Sequence, residues 1–398
     1  MTSPENSTPN SPAHPDKDRL EELLALFQSL VRSQPSDERI QLDYEWAWRF
    51  RGGESDFHLG ASVMIHGNEV GPLEGLLDIM EALSHGRLHF PGTFTCFIGN
   101  PEAGRLGQRF VDVDLNRVFD STYLTQAEVS SHEVRRVQKL IPLLDDFDLY
   151  IDFHQTVLDS TQPFYISQWQ IEDWRWMRLM GGAQVWVTRD PRRPGGGLKC
   201  ADEYVRRRGK PSVALELGAL GFSAKARSGV WRSLSRVANA ISELHQGETD
   251  LASLAMSQPD LQFYETHTRY LFDDPALTLA PGWVNFTPVE QGQLLTSPPP
   301  DLQSSAPNMQ DVDESSFASL ESQRPSTETA DPLEAQDRDA NDIAPESWAR
   351  YATTRGALLF PKYPPRDERG VALDPRPKEL CRIIRRLDGH PLDLWEEG

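Results

Sequence analysis

The sequence predicts an α/β protein with a mostly parallel, mixed β-sheet, helices on both faces of the sheet, and a small C-terminal β domain. Three observations lead to this prediction. Segments typical of strands and of helices alternate between residues 57 and 244. The strand-like segments are apolar along their length, as expected where helices cover both sides of a sheet. Beyond residue 251 the pattern changes to short alternating runs with turn residues, which is typical of a small β domain.

Helical periodicity defines five segments of the predicted α/β region. In the first, the apolar residues from Leu20 to Val31 recur on one face, and a polar run that starts at Ser33 ends the helix. The second begins at Pro72, a residue favoured at the first position of a helix. The predicted helices cover residues 18–32, 72–83, 126–140, 174–180 and 230–244.

Short apolar runs between these helices predict the strands of the sheet. Each run is bounded by turn or polar residues and is too short for an ordinary helix. In parallel sheets, binding sites gather at the carboxyl ends of the strands. The predicted strands cover residues 57–65, 93–98, 149–153, 184–187 and 212–217.

The small β domain is predicted to be interrupted by a long insert. Short alternating runs at 263–271 and 281–295 are followed by a segment that lacks periodicity and is rich in Ser, Pro, Asp and Glu, as in disordered loops. Strand-like residues resume at 357–360, and a further element is predicted at 380–387. The predicted organisation is a disordered tail at 1–17, a catalytic domain at 18–250, the β domain at 255–296 and 347–398, and the acidic disordered insert at 297–346.

Charge and composition exclude several classes of function. The net charge of −20 disfavours nucleic acid as a partner, because phosphate binding needs clustered Lys and Arg. Half of that charge lies in residues 301–346, which contain twelve acidic and two basic residues. No apolar run approaches the roughly 18 residues of a membrane helix, and the first 17 residues lack the core of a signal peptide. We therefore expect a cytoplasmic protein without a membrane partner.

The three cysteines fit a reducing compartment. They are odd in number and widely spaced, which is typical of free thiols rather than of a disulfide framework or a zinc finger. The cysteines are Cys96, Cys200 and Cys381.

Residues that can carry chemistry fall in four stretches, each at or near the end of a predicted strand. Parallel strands would bring all four to one edge of the sheet. The stretches are His66-Gly-Asn-Glu69, the polar loop from Asn100 to Arg117, Asp152-Phe-His154 and Glu216-Leu-Gly218.

Two histidines and one glutamate form a known set of catalytic zinc ligands, with the fourth position left to water. His66, Glu69 and His154 supply these three residue types. Asp152 is placed to orient a ligand histidine by accepting its second ring N–H. The sequence therefore predicts one metal ion, most simply zinc, although the same donors also accept manganese, cobalt or iron.

Three further side chains suit amide hydrolysis beside such an ion. Glu216 interrupts an otherwise apolar strand, where desolvation raises the pKa of a carboxyl group and suits it to proton transfer. Arg109 and Arg117 do not compete for metal, so they can polarise a carbonyl group and hold an anionic substrate.

Each of these residues also has an ordinary structural explanation when it is taken alone. His154 can be a core histidine, Glu216 a buried carboxylate paired with an arginine, and Asp114 to Arg117 a capped turn with an ion pair. A second His-x-x-Glu, His245-Gln-Gly-Glu248, lies where a helical pattern ends and is interpreted as a solvated helix end. The combination of four such stretches favours a site.

The stretches resemble the succinylglutamate desuccinylase and aspartoacylase family, which belongs with the zinc carboxypeptidase-like hydrolases. The order and spacing of the motifs agree over roughly residues 55–295, including the run from Trp283 to Leu295 in the β domain. The motifs that carry the resemblance are His-Gly-Asn-Glu at 66–69, Arg109, Asp-Leu-Asn-Arg at 114–117, Asp-Phe-His at 152–154 and Glu-Leu-Gly at 216–218.

The resemblance implies a role for each residue and a substrate class. His66, Glu69 and His154 would bind one zinc ion per chain, with Glu216 as general base and later acid, and Arg109 as the oxyanion stabiliser. The substrate would be a small anionic N-acyl amino acid, such as N-succinylglutamate or N-acetylaspartate. The substrate contacts implied are Asn116, Arg117 and one of Arg206, Arg207 and Arg208, of which Arg206 has the best spacing to Glu216.

Some features depart from the family pattern and leave alternatives open. Residues 1–40 and the acidic insert have no counterpart, and Tyr363 is only a weak match to the tyrosine that aspartoacylase draws from its second domain. The rival functions are a metallocarboxypeptidase that acts on peptides and a non-catalytic zinc-binding interaction protein. The acyl group and the oligomeric state stay open.

Overall fold

The computed structural model divides into two compact units, residues 1–265 with 386–398 and residues 266–385. The predicted disordered tail and acidic insert lie outside the residues that it describes, apart from Lys17 and Ser297. The described residues are 17–35, 45–120, 131–189, 199–297, 349–368, 371–373, 378–390 and 393.

The first unit contains a mixed sheet in the order β1-β3-β2-β4-β7-β5-β6-β8. Neighbouring strands are parallel except for two pairs, β1 with β3 and β5 with β7. The strands are β1 Ala47–Arg51, β2 His58–Val63, β3 Thr93–Ile98, β4 Leu149–Thr156, β5 Phe164–Gln168, β6 Val185–Arg189, β7 Ser212–Ala219 and the start of β8 Gln262–Leu271.

Helices follow most of the strands, as the alternating pattern predicts. Helix α7 packs against both α2 and α5. Helix α4 packs against α6, and α6 also contacts β4 and β7. The helices of this unit are α1 Lys17–Ser33, α2 Pro72–Ser84, α3 Pro101–Arg105, α4 His132–Asp145, α5 Ile171–Met180, α6 Ala201–Arg206, α7 Ala224–Gln246 and α8 Leu251–Met256.

One continuous apolar core joins these helices to the sheet. Strand β4 is buried along its whole length, which explains why its sequence is an apolar run with isolated polar residues that carry chemistry. Pro72 opens α2 at its first turn, and Asn100 caps α3 by accepting the N–H of Ala103. The mostly parallel α/β fold predicted from the sequence is confirmed.

The register of the central strands determines which polar residues meet. Ser62 of β2 is paired with Asp152 of β4, and His154 of β4 is paired with Glu216 of β7. Side chains of paired residues point to the same face of a sheet, so these residues meet in two adjacent layers. The second layer lies at the carboxyl ends of the strands, where the sequence predicts the site.

The second unit has its own apolar core and a smaller sheet in the order β8-β11-β10-β9. The strands that complete it are β9 Thr287–Val289, β10 Gly356–Leu359 and β11 Glu379–Arg386, joined as antiparallel pairs β9 with β10 and β10 with β11. The division between the units falls later than predicted, at residue 265 rather than near 255, because residues 262–265 pair with β6.

Several elements differ from the sequence predictions. Strands β1 and β5 are additional, and both are among the antiparallel members of the sheet. The helix predicted at 126–140 is observed as α4, and residues 121–130 lie outside the described part of the chain. His245 is exposed in the last turn of α7, in agreement with its interpretation as a helix end.

Two further expectations can be compared with the described residues. All three cysteines are buried and free, as expected for reduced thiols. No helix in the described ranges has the length and apolar character that crossing a bilayer requires.

The imidazole of His58 at the start of β2 makes the stability of this sheet depend on pH. Its Nε2 lies 2.8 Å from the hydroxyl of Thr95, and its ring meets the edge of Phe147. Burial lowers the pKa of His58 from 6.5 to about 4, and the charge of Arg49 acts in the same direction. The unfolded chain therefore binds a proton between these two pH values that the folded chain does not bind.

We predict that the stabilisation from neutral His58 is complete above pH 6.5 and is lost as the pH falls towards 4. The loss is on the order of 2 kcal/mol. His58→Gln keeps a polar group near Thr95 without a titrating ring, so its free energy of unfolding should fall less over this range. Urea unfolding of both proteins at several pH values measures the difference. An equal loss of unfolding free energy in the two proteins between pH 6.5 and 4 would contradict this role of His58.

Candidate metal centre and active site

Three buried residues of the first unit form a group that can hold a metal ion: His66, Glu69 and His154. One donor atom from each lies within 4.8 Å of the others. His66 and Glu69 belong to the turn that follows β2, and His154 lies near the end of the neighbouring strand β4. The structure therefore brings together the three ligands predicted from sequence.

The carboxylate of Glu69 lies between the two imidazole rings. Its Oε1 is 2.7 Å from Nδ1 of His66, and its Oε2 is 2.8 Å from Nδ1 of His154. The main-chain N–H of Gln155 donates to Oε2 at 3.1 Å. Both histidines thus direct the same ring nitrogen towards one point, and the carboxylate faces that point between them.

The turn that carries His66 and Glu69 is held against α3. Met64 has a φ of 55°, so the chain bends sharply as it leaves β2. The N–H of Gly67 donates to the carbonyl of Arg109, and a Cβ atom on Gly67 would lie 2.4 Å from the nitrogen of Gly104. Only glycine allows this approach, which explains the glycine in the His-Gly-Asn-Glu motif.

A buried chain of hydrogen bonds fixes the ring of His154. Its Nε2 lies 2.8 Å from Oδ2 of Asp152, while Oδ1 of Asp152 accepts the hydroxyl of Ser62 at 2.6 Å. Burial raises the pKa of Tyr150, so its phenol stays protonated and donates to Ser62 at 2.6 Å. Asp152 can only accept, so Nε2 of His154 carries a proton, and Nδ1 is the ring nitrogen that faces Glu69 and would face a metal ion.

His66 has a comparable partner in Asp114. Its Nε2 lies 3.3 Å from Oδ1 of Asp114 and 2.6 Å from a guanidinium nitrogen of Arg109. Asp114 can accept from Nε2 when this nitrogen carries a proton, whereas the guanidinium of Arg109 can only donate, so the two partners compete for Nε2 of His66. Burial would raise the pKa of Asp114, but hydrogen bonding to His66 and the charges of Arg109 and Arg117 hold it well below its usual range.

The electrostatics of the group favour an ionised ligand carboxylate. Burial alone would raise the pKa of Glu69, but the adjacent His66 and His154 hold it well below its usual range. Burial alone would lower the pKa of His154, yet the carboxylates of Asp152 and Glu69 raise it well above the usual value. This excess of negative charge around buried imidazoles is the condition that a bound cation relieves.

Glu216 lies beside the three candidate ligands because it is paired with His154 across β4 and β7. Its Oε2 is buried and has no hydrogen-bond partner among the residues that the structure describes. Burial raises the pKa of Glu216 to about 7, against a lowering effect from His154 and a further rise from Glu69. A carboxyl group with a pKa near neutrality can both accept and donate a proton.

An irregularity in β7 follows Glu216 directly. The pairing runs from His154 with Glu216 to Thr156 with Ala219, so β7 contains one more residue than β4 over this interval. Gly218, within this interval, has a φ of 105°, which side chains rarely tolerate. Such bulges occur beside active sites and change the direction of the strand. The glycine of Glu-Leu-Gly is therefore required by the backbone.

The Asp-Leu-Asn-Arg motif forms a 3₁₀ turn at Leu115–Arg117, capped by Asp114. Asn116 is buried, and its side-chain oxygen accepts the N–H of Ala201 at the start of α6. Arg117 is exposed and donates to the carbonyl of Asn116 at 2.7 Å. Arg109 is partly exposed and donates to Asp114 at 3.1 Å. Both arginines can reach solvent.

Arg206 is not brought to the site. Its side chain is 2% exposed, and its guanidinium lies 2.8 Å from Asp173 and 2.8 Å from Glu203. It also donates to the carbonyl of Ser212 at 2.7 Å. These partners give Arg206 a structural role that ties α6 to α5 and β7, and we revise the substrate-binding role that its spacing to Glu216 implied.

The other residues left open by the sequence also have partners. Arg207 donates to the carbonyl of Phe119, and Arg208 pairs with Asp145. In the second unit, the hydroxyl of Tyr363 donates to the carbonyl of Ala280 and accepts the N–H of Trp283. A contribution of Tyr363 to the site stays a prediction.

The first unit is an α/β fold with a His-Glu-His group at the carboxyl edge of a mixed sheet. Comparison with known proteins gives the family. Residues 62–240 match the model described as the succinylglutamate desuccinylase/aspartoacylase catalytic domain. The succinylglutamate desuccinylase of Yersinia pestis (strain Pestoides F) is 29% identical over 258 residues, which are 60% of this chain and 74% of that protein.

Solved structures share the fold over most of the chain. A succinylglutamate desuccinylase from Vibrio parahaemolyticus has a TM-score of 0.56 at 16% identity and covers 87% of each chain. The ectoine utilization protein EutE (DoeB) from Ruegeria pomeroyi has a TM-score of 0.54 at 17% identity and covers 85% of this chain and 88% of its own. Residues 62–240 are thus similar to the catalytic domain of the succinylglutamate desuccinylase/aspartoacylase family. This similarity supports the predicted family and the prediction of an amide-hydrolysing enzyme.

Sequence reasoning missed three residues that support the site. The sequence places Asp114 in the Asp-Leu-Asn-Arg motif without a role of its own, and it indicates no role for Ser62 or Gln155. Ser62 is one of the few polar residues in an apolar strand, a signal similar to the one that identified Glu216. Gln155 directly follows a candidate ligand, but no residue spacing indicates its contacts.

The contrast between Arg206 and Arg117 can be tested with matched Arg→Lys variants. Lysine keeps the charge but loses the planar fork that makes several hydrogen bonds. We predict that Arg206→Lys lowers the free energy of unfolding by about 1–3 kcal/mol and leaves KM unchanged, because its partners are buried. Arg117→Lys should raise KM with little effect on stability.

Urea unfolding and steady-state kinetics, with the N-acyl amino acid that the enzyme hydrolyses fastest, measure both quantities. A raised KM in Arg206→Lys at unchanged stability would restore the substrate-binding role of Arg206.

Proposed function

We propose that the protein is a zinc-dependent hydrolase that cleaves the amide bond of a small N-acylated acidic amino acid. The observation that carries this proposal is the pairing of His154 with Glu216, which sets a candidate proton carrier beside the His66–Glu69–His154 group. The family match supports the reaction class, and relatives named succinylglutamate desuccinylase support the substrate class.

The residues present fit one zinc ion per chain. Two imidazole nitrogens and one carboxylate are a common catalytic zinc set that leaves a position open for water. Asp152 accepts the outer ring N–H of His154, as the outer partners of zinc-bound histidines usually do, and Asp114 lies 3.3 Å from the outer ring nitrogen of His66. The buried, unpartnered Oε2 of Glu216 supports a group or water beside it in the working enzyme.

His66, Glu69 and His154 would hold the zinc ion, which would supply water with a pKa of about 7 and a Lewis acid for the carbonyl group. Glu216 then takes a proton from the attacking water and delivers it to the amide nitrogen as the carbon–nitrogen bond breaks. The products are the carboxylate of the acyl group and the free amino group of the amino acid. A pKa near 7 allows Glu216 to carry out both transfers near neutral pH.

The arginines supply the positive charge that this substrate needs. We assign Arg109 to the developing negative charge on the amide oxygen, because its guanidinium lies within 3.5 Å of Glu69 and 2.6 Å of His66. Arg117 is exposed and suits a substrate carboxylate, with which a guanidinium forms two parallel hydrogen bonds. The carbonyl of Asn116 accepts a hydrogen bond from Arg117. A contact of Asn116 with the substrate stays a prediction.

Metal analysis of three proteins tests the division of roles. We predict about one zinc per chain in the wild type and in Glu216→Gln, and loss of zinc from His154→Ala, because His154 is a proposed ligand and Glu216 is not. Glu216→Gln should lose about a hundred- to ten-thousand-fold in kcat. Elemental analysis and hydrolysis of N-succinylglutamate and N-acetylaspartate provide the measurements. Wild-type turnover rates in Glu216→Gln would exclude Glu216 as the proton carrier.

A further inference from the structure

Gln155 is a buried residue outside the predicted catalytic set, and it connects the two loops on which that set depends. Its side-chain oxygen accepts the N–H of Gly71 at 2.8 Å. Its side-chain nitrogen donates to the carbonyls of Ala219 and Gly221, the latter at 2.9 Å. Together with the main-chain bond to Glu69, these side-chain bonds all reach segments next to the site.

The two segments joined by this amide have different tasks. Gly71 ends the turn that carries His66 and Glu69 and precedes α2. Ala219 and Gly221 follow Glu216 and the irregularity in β7. One planar amide therefore spans from the segment with two candidate metal ligands to the segment with the candidate proton carrier.

The two loops approach each other closely at this point. A Cβ atom on Gly71 would lie 2.4 Å from the carbonyl oxygen of Gly221 and 2.6 Å from the side-chain nitrogen of Gln155. Gln155 itself is 3% exposed, so it makes its bonds away from bulk solvent. Buried donors and acceptors that lose a partner cost more than exposed ones, so this contact is strongly defined.

Strand pairing alone does not fix the loop after Glu216. The β4–β7 register shifts between His154 and Thr156. Opposite this shift, Gly218 has a φ of 105° and no side chain that could hold the loop in place. The amide of Gln155 bonds the loop just beyond this shift. A displacement of about 1 Å in a reacting group can cost about a hundred-fold in rate, so such a restraint has a direct catalytic consequence.

We propose that Gln155 is a positioning residue that fixes the distance between the candidate metal ligands and Glu216. This inference rests on the proposed function, since it concerns the geometry of the same hydrolytic site. Gln155 needs no contact with metal or substrate for this task. It acts through Gly71 on the ligand turn and through Ala219 and Gly221 on the segment after Glu216.

Two variants of Gln155 test this role. Gln155→Met keeps the length of the side chain and removes its hydrogen bonds. Gln155→Glu keeps an acceptor for Gly71 but places oxygen against the carbonyls of Ala219 and Gly221. For both we expect kcat to fall about 10- to 100-fold, while KM and zinc affinity stay within about threefold of the wild type, because neither ligands nor substrate contacts are removed. Chelator competition measures zinc affinity independently of turnover.

Gln34, which follows α1 and bonds to β1 at one edge of the sheet, offers a matched control. It is also buried, and its amide bonds both the carbonyl and the N–H of Arg49. Gln34→Met should lower the melting temperature without a change in kcat. If both Gln155 variants behave like Gln34→Met, or if they lose zinc in parallel with kcat, the spacing role is overturned.

The wild type separates this inference from the proposed function. Zinc binding and turnover in the wild type, together with normal kcat in the Gln155 variants, contradict the positioning role alone. A wild type that binds no zinc and hydrolyses no N-acyl amino acid contradicts the proposed function, and the positioning role with it.

Discussion

The carboxylate of Glu69 is the group on which the geometry of the site depends. One of its oxygens faces His66 and the other faces His154, so a single residue links the turn after β2 to the end of β4. The group is 3% exposed, and an ionised carboxylate at that depth requires positive charge or hydrogen bonds around it. The two imidazoles and the N–H of Gln155 supply these, and a metal ion would supply more.

The register of the sheet places further functional residues next to the candidate ligands. Pairing of Ser62 with Asp152 builds the support of His154, and pairing of His154 with Glu216 places the candidate proton carrier. Residues two apart in one strand share a face, so Tyr150, Asp152 and His154 lie in one row. Ser62 of β2 joins Tyr150 to Asp152, which completes a continuous chain of hydrogen bonds. The chemistry of the site thus follows from three parallel strands and one shifted register.

Much of this site could be predicted from the sequence because its key residues interrupt apolar strands. A polar residue at a strand end is visible in the pattern, and parallel strands place such ends at one edge. Spacing was less reliable away from the strands. The number of residues between Arg206 and Glu216 favours a substrate contact for Arg206. Its guanidinium instead pairs with Asp173 of α5, a residue distant in sequence.

Tertiary contacts also explain the missed elements. Strand β1 contains Arg49 and Arg51, so its sequence resembles a polar segment rather than a strand. Arg49 is nevertheless buried and donates to Thr95 of β3. Strand β5 pairs with β7 over only two residues and has polar residues at its end. The contacts of Gln155 depend on a bulge in another strand, and no local pattern records them.

X-ray absorption spectroscopy of the zinc-loaded protein tests the central claim most directly. The account predicts nitrogen and oxygen ligands at about 2.0–2.2 Å, with outer-shell scattering from two imidazole rings and no sulfur at about 2.3 Å. All three cysteines are buried and are absent from the candidate ligand group. Sulfur ligation, or a zinc ion without imidazole scattering, would contradict the assignment of His66, Glu69 and His154 as the metal centre.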